Sequence, residues 1–95
     1  MTVAEKERIE VLPMYGQPEQ QRPEFLEWEH NTFISQETKR HAGDRRRASR
    51  AWLGRGMQAL GFGDIDGAMR HFNRAWLLDE ENYQVSWGFA QVLVR

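Results

Sequence analysis

Lys39, Arg40 and His41, followed by Arg45, Arg46, Arg47 and Arg50, concentrate basic side chains in one short stretch of the chain. Guanidinium and ammonium groups at that density can grip phosphates by charge. No aromatic residue interleaves with them, so the stretch lacks the stacking platforms that single-stranded nucleic acids use. The favoured reading is a solvated strip, or an intramolecular partner for the acidic N-terminal third, because basic side chains are common at helix ends. The alternative is an adaptor that binds nucleic acid or an anionic surface through Lys39, Arg40, Arg45, Arg46, Arg47 and Arg50; an acidic peptide is a further possible partner.

Other chemistry is sparse. Arg46-Arg47-Ala48-Ser49 has the form of a basophilic kinase site, a short pattern that recurs by chance. Asp64-Ile65-Asp66-Gly67 imitates the opening of a calcium loop, but the fifth and twelfth positions, which must supply oxygens, are Ala68 and Ala75. Gly54, Gly56, Gly61 and Gly63 lack the Lys-Ser/Thr that completes a phosphate loop, and no strand precedes them, so they read as turn and close-packing glycines. His30, His41 and His71 are far apart and share no acid at metal-ligand spacing. There is no His-Glu-x-x-His, no Gly-x-Ser-x-Gly and no defensible Ser-His-Asp set. The expectation is a protein that is not an enzyme and uses no cofactor or metal.

The totals are consistent with that. Ninety-five residues allow one modest core. With no cysteine there are no disulfides, thiolate metal sites or cysteine nucleophiles. Net charge is −1 but uneven: about −5 over residues 1–37, +6 over 38–55 and −2 over 56–95. The first eight residues hold no apolar run, so no signal peptide is read on the chain as given, and no stretch is long enough to span a bilayer. A cytoplasmic location is expected for the chain as given, and a periplasmic or exported one if an upstream signal was removed.

Elements that could position these residues are all helical. Residues 1–22 carry Pro13, Gly16 and Pro18 without helical period and read as a flexible tail; the apolar patch Ile9-Glu10-Val11-Leu12-Pro13-Met14-Tyr15 could dock in extended form. Pro23 opens a helix that runs to about Arg40, with Phe25, Leu26, Phe33 and Ile34 on one face and Gly43 as its C′ stop. Asp44 caps a second helix reaching about Leu60, with Trp52, Gly56, Ala59 and Leu60 in one stripe. Asp64 caps a third, with Ile65, Ala68, Met69, Phe72, Ala75 and Trp76 inward. After the turn at Asp79-Glu80-Glu81-Asn82, a fourth starts near Tyr83 and carries Trp87, Ala90, Leu93 and Val94. Trp52, Phe72, Trp76 and Trp87 are expected in the core. No β alternation occurs, so the fold class is all-α with about four helices.

Trp52, Gly56, Ala68, Phe72 and Ala75, with the turn from Gly63 to Met69, stand at the spacing of the tetratricopeptide-repeat (TPR) motif, and residues 49–82 resemble one full repeat. Small residues at Gly56 and Ala68 would let two helices approach, with Phe72 and Trp52 filling the space beside them. Adding 34 to Gly56 gives Ala90, so 83–95 resembles the first helix of a second repeat, and Ala90 joins the repeat-packing set. The run from Ala68 to Asp79, followed by Trp87-Gly88-Phe89-Ala90, is similar to a group of small, mostly uncharacterised bacterial TPR proteins, often exported or lipid-anchored. The resemblance covers about half the chain. It divides the sequence into a tail (1–22), a capping helix (23–43) and a TPR region (44–95).

Departures are clear. Glu80 stands where the motif usually has proline, and Arg55 where it usually has leucine before the small residue. The resemblance implies antiparallel helix pairs and a protein-protein interaction module whose peptide or helix ligand lies in a groove. Matching groove positions are Arg50, Leu53, Met57, Leu60, Gln84, Trp87 and Gln91, several of them apolar. The lysine–asparagine clamp for terminal carboxylates is absent. Trp87, Phe89, Val92 and Val94 would end on an uncovered face, so a homo-dimer through the last helix is expected.

Overall fold

The structure, a computed structural model, describes the backbone of residues 24–94 and the side chains of residues 30–94. The tail expected over 1–22, its patch at 9–15 and Pro23 lie outside the described residues, as do the side chains of Phe25 and Leu26. Four α-helices follow one another: α1 (Glu24–Arg40), α2 (Arg45–Gly61), α3 (Ile65–Leu78) and α4 (Tyr83–Leu93). There is no strand among the described residues.

Local signals explain the boundaries. The first amides of a helix have no intrahelical acceptor. At α2 the Asp44 carboxylate takes the Arg47 N–H at 3.0 Å, and at α3 Asp64 takes the Gly67 N–H at 2.9 Å. Asn82, read from the sequence only as turn, caps α4 by accepting from Gln84 N–H at 3.2 Å. The exposed Asp44 carboxyl is held below its usual value, first by the Arg47 amide.

Both α1 and α2 end in the same six-residue wrap, in which one amide reaches back five residues and the one before it three. At α2 the pairs are Asp64 N–H to Ala59 C=O (2.9 Å) and Gly63 N–H to Leu60 C=O (3.0 Å). Gly63 supplies the left-handed residue at φ 79°. At α1 the pairs are Gly43 N–H to Thr38 C=O (2.8 Å) and Ala42 N–H to Lys39 C=O (3.2 Å). The left-handed C′ position there is therefore Ala42 (φ 58°), and Gly43 (φ 83°) stands one residue beyond the place expected for it.

α2 and α3 share the most extensive contact and form a helical hairpin. Its direction follows from three observations. Arg45 at the start of α2 donates to the carbonyls of Leu78 (3.0 Å) and Leu77 (3.1 Å) at the end of α3. Ser49 Oγ donates to Ala75 C=O at 2.7 Å. Midway along both helices, Gly56 faces the Phe72 ring. Each of α1 and α4 packs on both helices of the hairpin, and the two have no close backbone approach to each other among the described residues.

The core stripe of α2 is Ala48, Trp52, Gly56 and Leu60, one residue per helical turn. From α3 come Ala68, Met69, Phe72, Ala75, Trp76, Leu77 and Leu78, and from α4 come Val85, Phe89 and Val92. Phe33 and Ile34 of α1 pack against this core. The Phe72 ring has no exposed surface. It fills the space left by two glycines, since a Cβ at Gly56 would overlap the ring and one at Gly88 would lie 2.9 Å from it. Burying one such side chain contributes roughly 2–3 kcal/mol.

Two expectations about α4 are corrected here. Ala90 is exposed and takes no part in the packing; Gly88 presses on Phe72 in its place. Trp87 is not a core residue but is 53% exposed. Both follow from one rotation of the helix: the inward stripe is Val85, Gly88, Phe89 and Val92, at i, i+3, i+4 and i+7.

Candidate functional site

At the base of the hairpin, Asn82 does more than cap α4. Its Nδ2 donates to Ser49 Oγ at 3.1 Å, while that hydroxyl donates to Ala75 C=O. One relay thus fixes the start of α4 to both hairpin helices. Ser49 is fully buried and its hydroxyl is engaged on both sides, which removes it as a modification site in the folded chain.

Next to this relay lies an open cleft of about 320 Å³, walled by Arg46 and Arg50 of α2, Asp79, Glu81 and Asn82 of the connecting turn, and Tyr83 and Gln84 of α4. Its lining thus mixes two basic, two acidic and two amide residues with a tyrosine. Such walls suit a polypeptide with mixed polar groups better than a bare phosphate.

Arg50 and Gln84 meet at this cleft, and farther along both Gly56 and Gly88 press on Phe72. α2 and α4 therefore run side by side in one direction. On α2 the positions expected to form a groove are Arg50, exposed, and Leu53 and Met57, half-buried and packed against the core edge. On α4 they are Gln84 and Trp87, exposed, and Gln91, half-buried. Each trio recurs at i, i+3 and i+7, so each makes one stripe. Leu60 is the exception: at 4% exposure it belongs to the core stripe of α2, one turn beyond Gly56.

The basic strip is divided rather than continuous. Arg45 spends its N–H groups on the end of α3, as above. Arg40 pairs with Glu37 at 3.2 Å. Arg46 and Arg50 turn to the mixed cleft. Lys39 and Arg47 are exposed. A single file of free cations along Lys39 to Arg50 does not form.

On another side of the hairpin, Trp52 gathers groups that the sequence did not join. Glu37 of α1 is 5% exposed and accepts the Trp52 Nε1–H at 3.1 Å. His41 Nε2 lies 3.7 Å from the same carboxylate. Phe33 meets the indole edge-on at 5.4 Å, and His71 tilts against it at 5.5 Å. The Arg55 and Arg74 guanidiniums stand 4.2 and 5.1 Å from the indole centroid, within cation–π range. Burial first, then the charges of Arg74 and Arg55, lower the His71 pKa below its ordinary value. These contacts tie α1 to both hairpin helices, so we assign the cluster to holding α1.

Of the repeat-packing residues, Trp52, Gly56, Ala68, Phe72 and Ala75 are buried and Ala90 is exposed. Asp64 is committed to capping α3, and no group of three or more His, Cys, Asp or Glu that could hold a metal occurs among the described residues. No helix among them is long and apolar enough to cross a membrane. In comparisons with known proteins, no family model, no curated protein and no solved structure matches the chain.

Proposed function

We propose that the chain is a protein–protein interaction module of TPR type, holding a peptide or a helix of another polypeptide along the surface shared by α2 and α4. The observation that carries this reading is Trp87, a large aromatic left 53% exposed on α4, the helix that runs alongside α2. Trp is enriched among the anchors of protein interfaces, where it supplies most of the binding energy from one pocket. Leu53 and Met57 add apolar contact on the α2 side, and Arg50, Gln84 and Gln91 offer polar groups to a backbone. In favour of a TPR unit stand the buried Trp52, Gly56, Ala68, Phe72 and Ala75 at motif spacing.

The test uses the full chain immobilised and challenged with extract of its host. Polypeptides retained by the wild type should be lost with Trp87→Glu and with Arg50→Glu, both exposed positions, while helicity by circular dichroism stays unchanged. Equal retention by both variants would overturn the groove.

A further inference from the structure

α4 has two apolar faces, and the fold uses one. Val85, Gly88, Phe89 and Val92 point into the core. Tyr83, Trp87, Ala90 and Val94 recur at i, i+4, i+7 and i+11 on the opposite face, and all four are exposed: Tyr83 and Val94 at 80% and Trp87 at 53%, with Leu93 beside them at 66%. A surface helix ordinarily turns polar and charged groups outward. α2 does so with Arg46, Arg47 and Arg50, all exposed, whereas α4 contains no charged residue at all.

We propose that this outer stripe pairs with the same stripe of a second copy of the chain. Three properties argue for that occupant. The spacing is that of a helix-packing seam, which a second helix of the same kind fills by interlocking side chains. A two-fold contact brings residues against their own equivalents, so like charges would meet across it; a stripe with no charge is compatible with its own image. The stripe offers on the order of 500 Å² per chain, given what buried aromatics contribute. A pair would then bury roughly 1,000 Å², below the usual range for permanent complexes, so the contact is weak and reversible. The apolar segment at 9–15 is a poorer fit, because Pro13 interrupts any helix there and an extended strand does not match a helical seam. Trp87 lies on both the outer stripe and the α2–α4 groove, so self-pairing and groove occupancy compete for it. The pairing stands without the groove reading, because Ala90 and Val94 lie outside the groove.

Sedimentation equilibrium on the full chain tests this over about 5–500 µM, the range in which weak interfaces assemble. The weight-average mass of the wild type should climb from one chain towards two. Val94→Lys and Ala90→Glu, both at exposed positions, should hold it at one chain with unchanged helicity. Two results would overturn the proposal: pairing that persists in both variants, or a wild type that stays at one chain at the highest concentration; in the second case, pairing switched on by Ile9→Asp with Leu12→Asp would give the stripe to the N-terminal segment.

Discussion

Phe72 sits where α4 closes the α2–α3 hairpin, and Trp52 sits where α1 closes it. Around Phe72 the contacts are of shape: two glycines and the edge of Phe89 at 6.2 Å. Around Trp52 there is charge: a buried carboxylate on its N–H, two guanidiniums over its ring and an imidazole at its side. The first contact tolerates almost no added volume but is indifferent to pH. The second answers to changes of protonation and hydrogen bonding around it. One hairpin thus holds its two flanking helices by different physics, and variants should separate them.

The largest loss is expected from Phe72→Ala, about 3–5 kcal/mol of unfolding free energy, enough to unfold so small a domain. Gly56→Ala should cost about 2–3 kcal/mol, because the new methyl overlaps a ring with nowhere to move. Gly88→Ala should cost less, and pairing Gly56→Ala with Phe72→Leu should recover part of the loss. Urea denaturation followed by circular dichroism measures all four. On the Trp52 side, Glu37→Ala strands a buried indole N–H and should cost about 1–3 kcal/mol, while Glu37→Gln keeps the acceptor and should restore most of it. If the two variants were equally damaging, charge rather than the hydrogen bond would be holding α1.

Acid should then distinguish the two sides. The folded chain binds the His71 proton less tightly than the unfolded chain does. Its contribution is therefore neutral above the unfolded value of 6.5, and stability falls as the pH drops below that value towards the folded-state pKa. His71→Gln should flatten the dependence of the melting midpoint on pH over that interval, and Gly88→Ala should not alter its slope. The smallest effect is a gain. Ala42→Gly places glycine at the left-handed position that Ala42 now occupies, and should stabilise by about 1 kcal/mol in the same urea titration.

The α2–α3 hairpin was legible because its signals are local. Asp44 and Asp64 stop short of apolar periods, Gly63 ends one helix, and small residues alternate with aromatics at turn spacing. The rotation of α4 was not legible, for a physical reason: both of its faces are apolar and neither carries a charge, so Trp87 and Ala90 looked as suitable for the core as Val85 and Phe89. The offset of 34 from Gly56 pointed to Ala90, while the glycine that meets Phe72 lies two residues earlier. Glu37 was missed because a glutamate is seldom buried, and its partner is fifteen residues away. Arg45 looked like one more cation in a run; only the approach of residues 32 and 33 positions later shows it at work on the end of α3.

That arginine has a dynamic consequence. The α2–α3 pair is joined by its turn at one end and clasped at the other by Arg45 on Leu77 and Leu78, with Ser49 on Ala75 behind it. Helices ordinarily fray from their free ends. Here the first turn of α2 and the last turn of α3 are each other's anchor, so neither can loosen alone, and the amides at that rim should exchange with solvent at the pace of the whole hairpin rather than of its tips.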